Sequence, residues 1–202
     1  MNLFRKKDES SEETQVKIVA YTIILYISSL FVPFVVVATY QSMFLMSRSQ
    51  WFFTTPFTSY IGFMIGMLYI AVVLTVYLIL RQKTEAKKLK WITVVLVLLS
   101  IPVFVFSLVN YYYLDEKGIH YNSLTSIKEE HFGWEDVTTL HQVYRNHQGT
   151  TGYYQVKFEM KDGRMITIPY DDKLRENSRR IEEKVNEYNI VVKDNYENPV
   201  ID

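Results

Sequence analysis

The chain has 202 residues, 22 basic and 22 acidic side chains, and no cysteine. That length allows one or two domains. The missing thiols exclude disulfides, thiol nucleophiles, thiolate-bound iron–sulfur clusters and Cys-based zinc sites. They leave the compartment open, because a disulfide-free domain can sit on either side of a membrane. The zero net charge averages two unlike halves. Residues 1–110 hold 10 Lys/Arg and 5 Asp/Glu, all outside three long apolar runs, whereas residues 111–202 hold 12 Lys/Arg and 17 Asp/Glu. Such a split predicts a membrane half followed by a water-soluble half.

A bilayer core about 30 Å thick needs roughly 20 apolar residues in a helix. After an N-terminal segment, 1–17, three stretches meet that requirement, at 18–40, 58–80 and 91–110. Tyr21, Tyr40, Trp51, Tyr60 and Trp91 lie near their edges, where amphipathic rings favour the interface. The first stretch follows Arg5, Lys6 and Lys7 but is far longer than the apolar region of a signal peptide and contains Pro33, so a retained anchor is expected. Pro33 and Pro102 are expected to kink their helices. Gly62 and Gly66 form a G-x-x-x-G that suits close helix packing, within the chain or with a partner. The spans contain no Asp, Glu, Lys, Arg or His. Proton relays and charged-substrate paths need such groups, so an autonomous pump, a proton-coupled transporter and an intramembrane protease are disfavoured.

The short loops give an orientation. Arg5, Lys6, Lys7 and Lys17 precede the first span, and Arg81, Lys83, Lys87, Lys88 and Lys90 follow the second. Residues 41–57 carry only Arg48. The positive-inside rule puts the N-terminus and the 81–90 loop in the cytoplasm and, with three spans, sends the C-terminal domain to the other face of the cell membrane. A fourth helix or a re-entrant hairpin within 31–57 would reverse that side.

Beyond the third span the pattern changes to short alternating segments. Residues 110–114, 119–124, 137–144, the alternating 154–160 and 165–170 are predicted strands. Residues 115–118 form a turn with Gly118 where positive φ is expected, and 161–164 a hairpin turn on Asp162-Gly163. Asp171 or Asp172 caps a helix with a stripe at Leu174, Ser178, Ile181, Val185 and Tyr188 that would cover the sheet. Residues 111–190 therefore form the domain, and 191–202 are expected to be a flexible tail.

YYYLDEKGIHY, then Gly133–Val137 (GWEDV), then 154–169 (YQVKFEMKDGRMITIP) and a terminal helix resemble, in that order, bacterial pleckstrin-homology-like (PH-like) domains. The matching positions are Leu114, Gly118 and Ile119; Trp134, Glu135 and Val137; and Asp162, Gly163, Ile166, Ile168 and Pro169. The resemblance covers about 112–188 and implies an α+β domain of antiparallel strands closed by a C-terminal helix, carried on three transmembrane helices. It also implies a binding platform and no catalytic activity. Five strands are counted where a full PH-like fold has seven, so two more are expected within 120–133 or 145–153.

The polar residues suggest little chemistry. His120, His131, His141 and His147 lack metal-ligand spacing, and Glu129, Glu130, His131 and His141 fit a solvated edge better than a metal site. Ser123, Ser126 and Ser178 lack a nucleophile setting, and no nucleotide loop occurs. Asp162, Asp171 and Asp172 suit a turn and helix caps. Arg175, Arg179 and Arg180 alternate with Glu176, Glu182 and Glu183, so neither anionic lipid nor nucleic acid is an expected ligand. Tyr111, Tyr112 and Tyr113 suit an interfacial belt or, beside Trp134, a partner surface. The expectation is a non-enzymatic membrane protein without cofactor or metal, whose domain binds another membrane or envelope protein or a second copy. Two alternatives stay open. One is a transport-accessory or channel-like oligomer, and the other is a membrane-surface hydrolase using His131 and His141.

Overall fold

A computed structural model describes residues 2–81 and 86–201, with the side chains of all of these except 2–12, 86 and 87. Lys83 and the side chains of Arg5, Lys6, Lys7 and Lys87, which contribute to the charge asymmetry, lie outside the described residues. The chain forms two units. One comprises Met1–Leu45, Thr55–Asn110 and Ser123–Ile127, and the other Met46–Thr54, Tyr111–Asn122 and Lys128–Asp202.

The first unit is helical, with α1 (Asn2–Ser28), α2 (Val32–Phe44), α3 (Phe57–Leu80), α4 (Ala86–Leu98) and α5 (Ile101–Val109). By length and composition, Phe57–Leu80 and Lys88–Val109 can each cross a membrane, the latter running through α4 and α5. Glu13–Ser28 with Val32–Phe44 supplies a third crossing if that pair, bent by 68°, is one span. Both breaks have the same cause. Pro33 and Pro102 occupy the first turns of α2 and α5, where the missing N–H costs nothing but the preceding helix cannot continue. The serines just before them turn inward on their own helices. Ser29 Oγ donates to the Tyr26 carbonyl and Ser100 Oγ to that of Val97, each at 2.7 Å.

The G-x-x-x-G packs against the chain's own α5. A Cβ at Gly62 would lie 2.5 Å from Ser107 Oγ, and one at Gly66 would lie 2.8 Å from the Phe104 ring. Phe104 also tilts against Phe63 at 4.7 Å. Gly66→Leu therefore overpacks this contact at a cost of about 1–3 kcal/mol. Thermal unfolding in detergent checks it, and an unmoved midpoint would show that α3 and α5 do not meet there.

The end of α5 is held by a buried polar cluster that the sequence does not advertise. Gln41 is fully buried. Its Nε2 donates to the carbonyls of Leu108 and Asn110 at 3.0 and 2.9 Å, and its Oε1 accepts from Thr55 Oγ1 at 2.6 Å. Ser59 Oγ donates to the same Asn110 carbonyl, and Asn110 Nδ2 to Thr58 Oγ1. The last carbonyls of a helix lack intrahelical donors, and an apolar environment makes an unsatisfied one costly.

The second unit is a sheet structure. Strands β1 (Phe52–Thr54), β2 (Tyr111–Leu114), β3 (Gly118–Asn122) and β4 (Glu130–Gly133) form an antiparallel sheet in that order. A 3-10 turn, Trp134–Asp136, leads into β5 (Val137–His147), which pairs antiparallel with β6 (Thr150–Met160), and β6 with β7 (Met165–Pro169). Helices α6 (Asp172–Glu176) and α7 (Ser178–Glu187) follow, then β8 (Val191–Asp194) and β9 (Val200–Ile201), both parallel to β5. The core joins both sheets and the helices through Phe52, Leu114, Ile119, Trp134, Phe158, Ile168, Leu174 and Ile181.

Three features differ from the sequence reading, while β4 agrees with it. Strand β1 comes from the segment before α3, where Phe52 pairs with Leu114 and enters the core. Strand β4 lies within the stretch expected to hide a strand. Residues 191–202, expected to be a flexible tail, supply two strands. The single predicted helix is two, divided at Asn177, with Asp171 capping α6 by accepting from the Leu174 N–H at 2.8 Å.

Candidate functional site

Successive side chains of a strand point to opposite faces, so Tyr111, Tyr112 and Tyr113 cannot share one surface. Tyr112 stacks on Tyr121 at 6.1 Å and packs against the core. Tyr111 and Tyr113 face the other way and join a file of rings across the four strands. Phe53 stacks on Tyr111 at 5.9 Å, Tyr111 on Tyr113 at 6.0 Å and Tyr113 on His120 at 4.1 Å, and His120 meets His131 at 4.2 Å. The pairing puts Phe53, Tyr113, His120 and His131 directly opposite one another on β1 to β4. Cross-strand aromatic pairs of this kind each contribute about 0.2–1 kcal/mol.

Glu129, just before β4, closes this file. Tyr111 Oη donates to its Oε2 at 2.5 Å and Tyr113 Oη to its Oε1 at 2.8 Å, with His120 Nδ1 3.0 Å from Oε1. The other ring nitrogen of His120 lies 3.3 Å from Asp115 Oδ1, which also accepts from the N–H groups of Lys117 and Gly118. Partial burial pushes the Glu129 carboxyl upward, but the hydrogen bonds from Tyr111, Tyr113 and His120 outweigh it and hold the group below the usual carboxylate range. Burial, and then the bond to Glu129, push both tyrosine hydroxyls well above theirs. The cluster is thus an ionised acceptor held by neutral phenol donors.

A carboxyl depressed in the folded state adds stability that is complete above its unfolded value, near 4.5, and is lost as pH falls through the lower folded value. The sheet unit should therefore lose stability as the pH drops from about 5 toward 3. Glu129→Gln should cost about 1–3 kcal/mol at neutral pH and flatten that acid-side decline. Unfolding midpoints of both proteins between pH 3 and 7 check this, and parallel curves would contradict it.

Trp134 does not belong to a docking surface. It is fully buried, stacks on Trp51 at 6.2 Å, meets Phe158 edge-on at 6.1 Å and donates from Nε1 to the Asp115 carbonyl at 3.0 Å. His131 and His141 are not brought together. His131 lies on β4 against His120, while His141 on β5 pairs with Glu159 on β6 at 2.8 Å. The bond from His141 in turn lowers the Glu159 carboxyl. Glu130 pairs with Arg164, whose guanidinium also meets Asp162 and covers the Phe132 ring at 4.3 Å. Among the described residues no group of three or more His, Asp or Glu side chains could hold a metal ion.

Sequence reasoning missed Glu129 and Gln41 as organising residues. The tyrosines that need an acceptor were visible, but nothing in the spacing singles out Glu129 from Glu130 beside it. No protein-family model, curated protein or solved structure matches the chain.

Proposed function

We propose that this chain is a non-enzymatic, multi-pass membrane protein whose sheet unit is a PH-like platform for another membrane or envelope protein on the non-cytoplasmic face. The order of elements supports the PH-like reading. Four antiparallel strands, then three, then the helices α6 and α7 reach the seven strands of that fold, once β1 is counted from the segment before α3, with β8 and β9 added to β5 after the helices.

Sidedness has its own support. Strands β1 and β2 pair, β1 lies just before α3 and β2 just after α5. Those two ends therefore share a side, which is what two crossings by α3 and α4–α5 require. Along the first helix pair, Tyr26 Oη meets Thr75 Oγ1 near the far end of α3, and Phe34 stacks on Tyr60 near its start. Gln41 then reaches Asn110. The chain thus runs antiparallel to α3, as one kinked crossing would, which supports reading the basic residues of the N-terminal segment and the 81–90 loop as cytoplasmic.

The observation that carries the binding role is the last edge of the sheet. Val191, Val192, Tyr196, Val200 and Ile201 are all 46–81% exposed on or between β8 and β9. Exposed apolar side chains gathered on a strand edge suit protein contact. Affinity co-purification of the full chain in mild detergent tests the proposal. A stoichiometric protein partner that is lost when Val200 and Ile201 become Asp is expected, and recovery of the bare chain under several mild conditions would count against it.

A further inference from the structure

Between α7 and the face of β5 and β6 lies a cavity of about 410 Å³, within the roughly 300–1,000 Å³ of ligand pockets. Its floor is apolar, with Leu140 from β5 and Val185 from α7, and Tyr153 closes one end, its ring stacked on Tyr170 at 3.9 Å. Its polar groups are Gln142, Glu182 and Asn186 among others. Glu182 is the only charged residue of the lining.

The other acidic side chains of α7 are occupied. Glu183 pairs with Arg179, and Glu187 with Lys184, which also meets Glu116. Glu182 has no ion pair or hydrogen bond among the described residues, and neither do the side-chain amides of Gln142 and Asn186. A free carboxylate and two free amides thus ring an apolar floor, in a half of the chain with 17 acidic and 12 basic residues. A ligand that suits these walls brings a cation on an apolar stem. Lysine and arginine side chains have that form, with methylene stems that bury and charged heads that pair.

We propose that this pocket receives a Lys or Arg side chain, flanked by an apolar residue, from a protein partner. The inference rests on the platform reading above and names the chemistry the partner must present. The carboxylate supplies the charge-assisted bond, Leu140 and Val185 take the stem, and Gln142 and Asn186 are placed to bond the partner's backbone or flanking groups.

Calorimetric titration of the full chain in detergent with acetyl-Val-Lys-Val-amide tests it. Saturable binding is expected, weakened roughly tenfold or more for acetyl-Val-Gln-Val-amide and for the Glu182→Gln protein, because a charge-assisted bond is lost. Glu182 is exposed, so its variant should unfold at the same temperature as the parent. Absence of saturable binding, or equal binding by Glu182→Gln, overturns the proposal. So does n-hexylamine binding as tightly as the lysine peptide, which would assign the pocket to free amines. A co-purifying partner retained in full by Glu182→Gln sinks this inference alone. Peptide binding without any co-purifying partner sinks the broader platform reading alone.

Discussion

Trp134→Ala should destabilise the sheet unit by about 3–5 kcal/mol, the range for deleting a large buried aromatic side chain. The indole is fully buried, so its loss leaves a cavity that rigid strands on both sides cannot close. It also removes the stack on Trp51 and the edge contact with Phe158, pairs that add about 0.5–1.5 kcal/mol beyond burial. The Asp115 carbonyl loses its Nε1–H donor as well. Trp134→Phe, which keeps an apolar ring but not the donor, should cost less than the Ala variant. Thermal unfolding and limited proteolysis in detergent measure the order, with cleavage expected first within the sheet unit. A cost under about 1 kcal/mol for the Ala variant would mean that Trp134 is not a core residue.

Gly118→Ala should be nearly as damaging, at about 3 kcal/mol, toward the upper end of overpacking costs. The sequence places Gly118 in a turn that calls for positive φ. The structure gives it that positive φ, at 159°, a value a side-chain-bearing residue rarely adopts, and a second reason for glycine. A Cβ there would collide with the carbonyl oxygen of Phe132, which is backbone. Gly118 faces Gly133 in the β3–β4 pairing, so the clash yields only if the two strands part. Gly152 is the internal control, because a Cβ there meets nothing within 4 Å. Gly152→Ala should stay within about 0.5 kcal/mol of the parent. Equal unfolding midpoints for the two alanine variants would show that β3 and β4 do not approach as described.

The apolar helices, the 115–118 turn, the clean alternation of 154–160 and the Asp162-Gly163 hairpin were legible because each follows from local rules. Length, charge and period 2 or 3.6 act within a few residues. What was illegible depends on distant partners. Phe52–Thr54 is three residues in a loop whose one charged residue is Arg48, and only pairing with Tyr112–Leu114 makes it a strand. Val191–Asp194 looked like a polar tail because its exposed side chains lack a clear pattern, yet its backbone pairs with β5. In sequence, Trp134 and the Tyr111–Tyr113 run suggest one surface, whereas strand alternation puts Tyr112 on the core side and burial takes Trp134 away. Gln41 was an unremarked polar residue at the end of a span until the α5 carbonyls came within its reach.

The side of the membrane that the sheet unit occupies decides which partners can reach it, and the cysteine-free chain makes that side directly measurable. Lys161, in the exposed β6–β7 turn, and Lys88, at the start of the last apolar helix, are both exposed. Each can be changed singly to Cys and probed on intact cells with a membrane-impermeant maleimide. Lys161→Cys should be labelled at once and Lys88→Cys only after permeabilisation. Labelling of Lys88→Cys in intact cells, with Lys161→Cys protected, would contradict the non-cytoplasmic placement of the sheet unit.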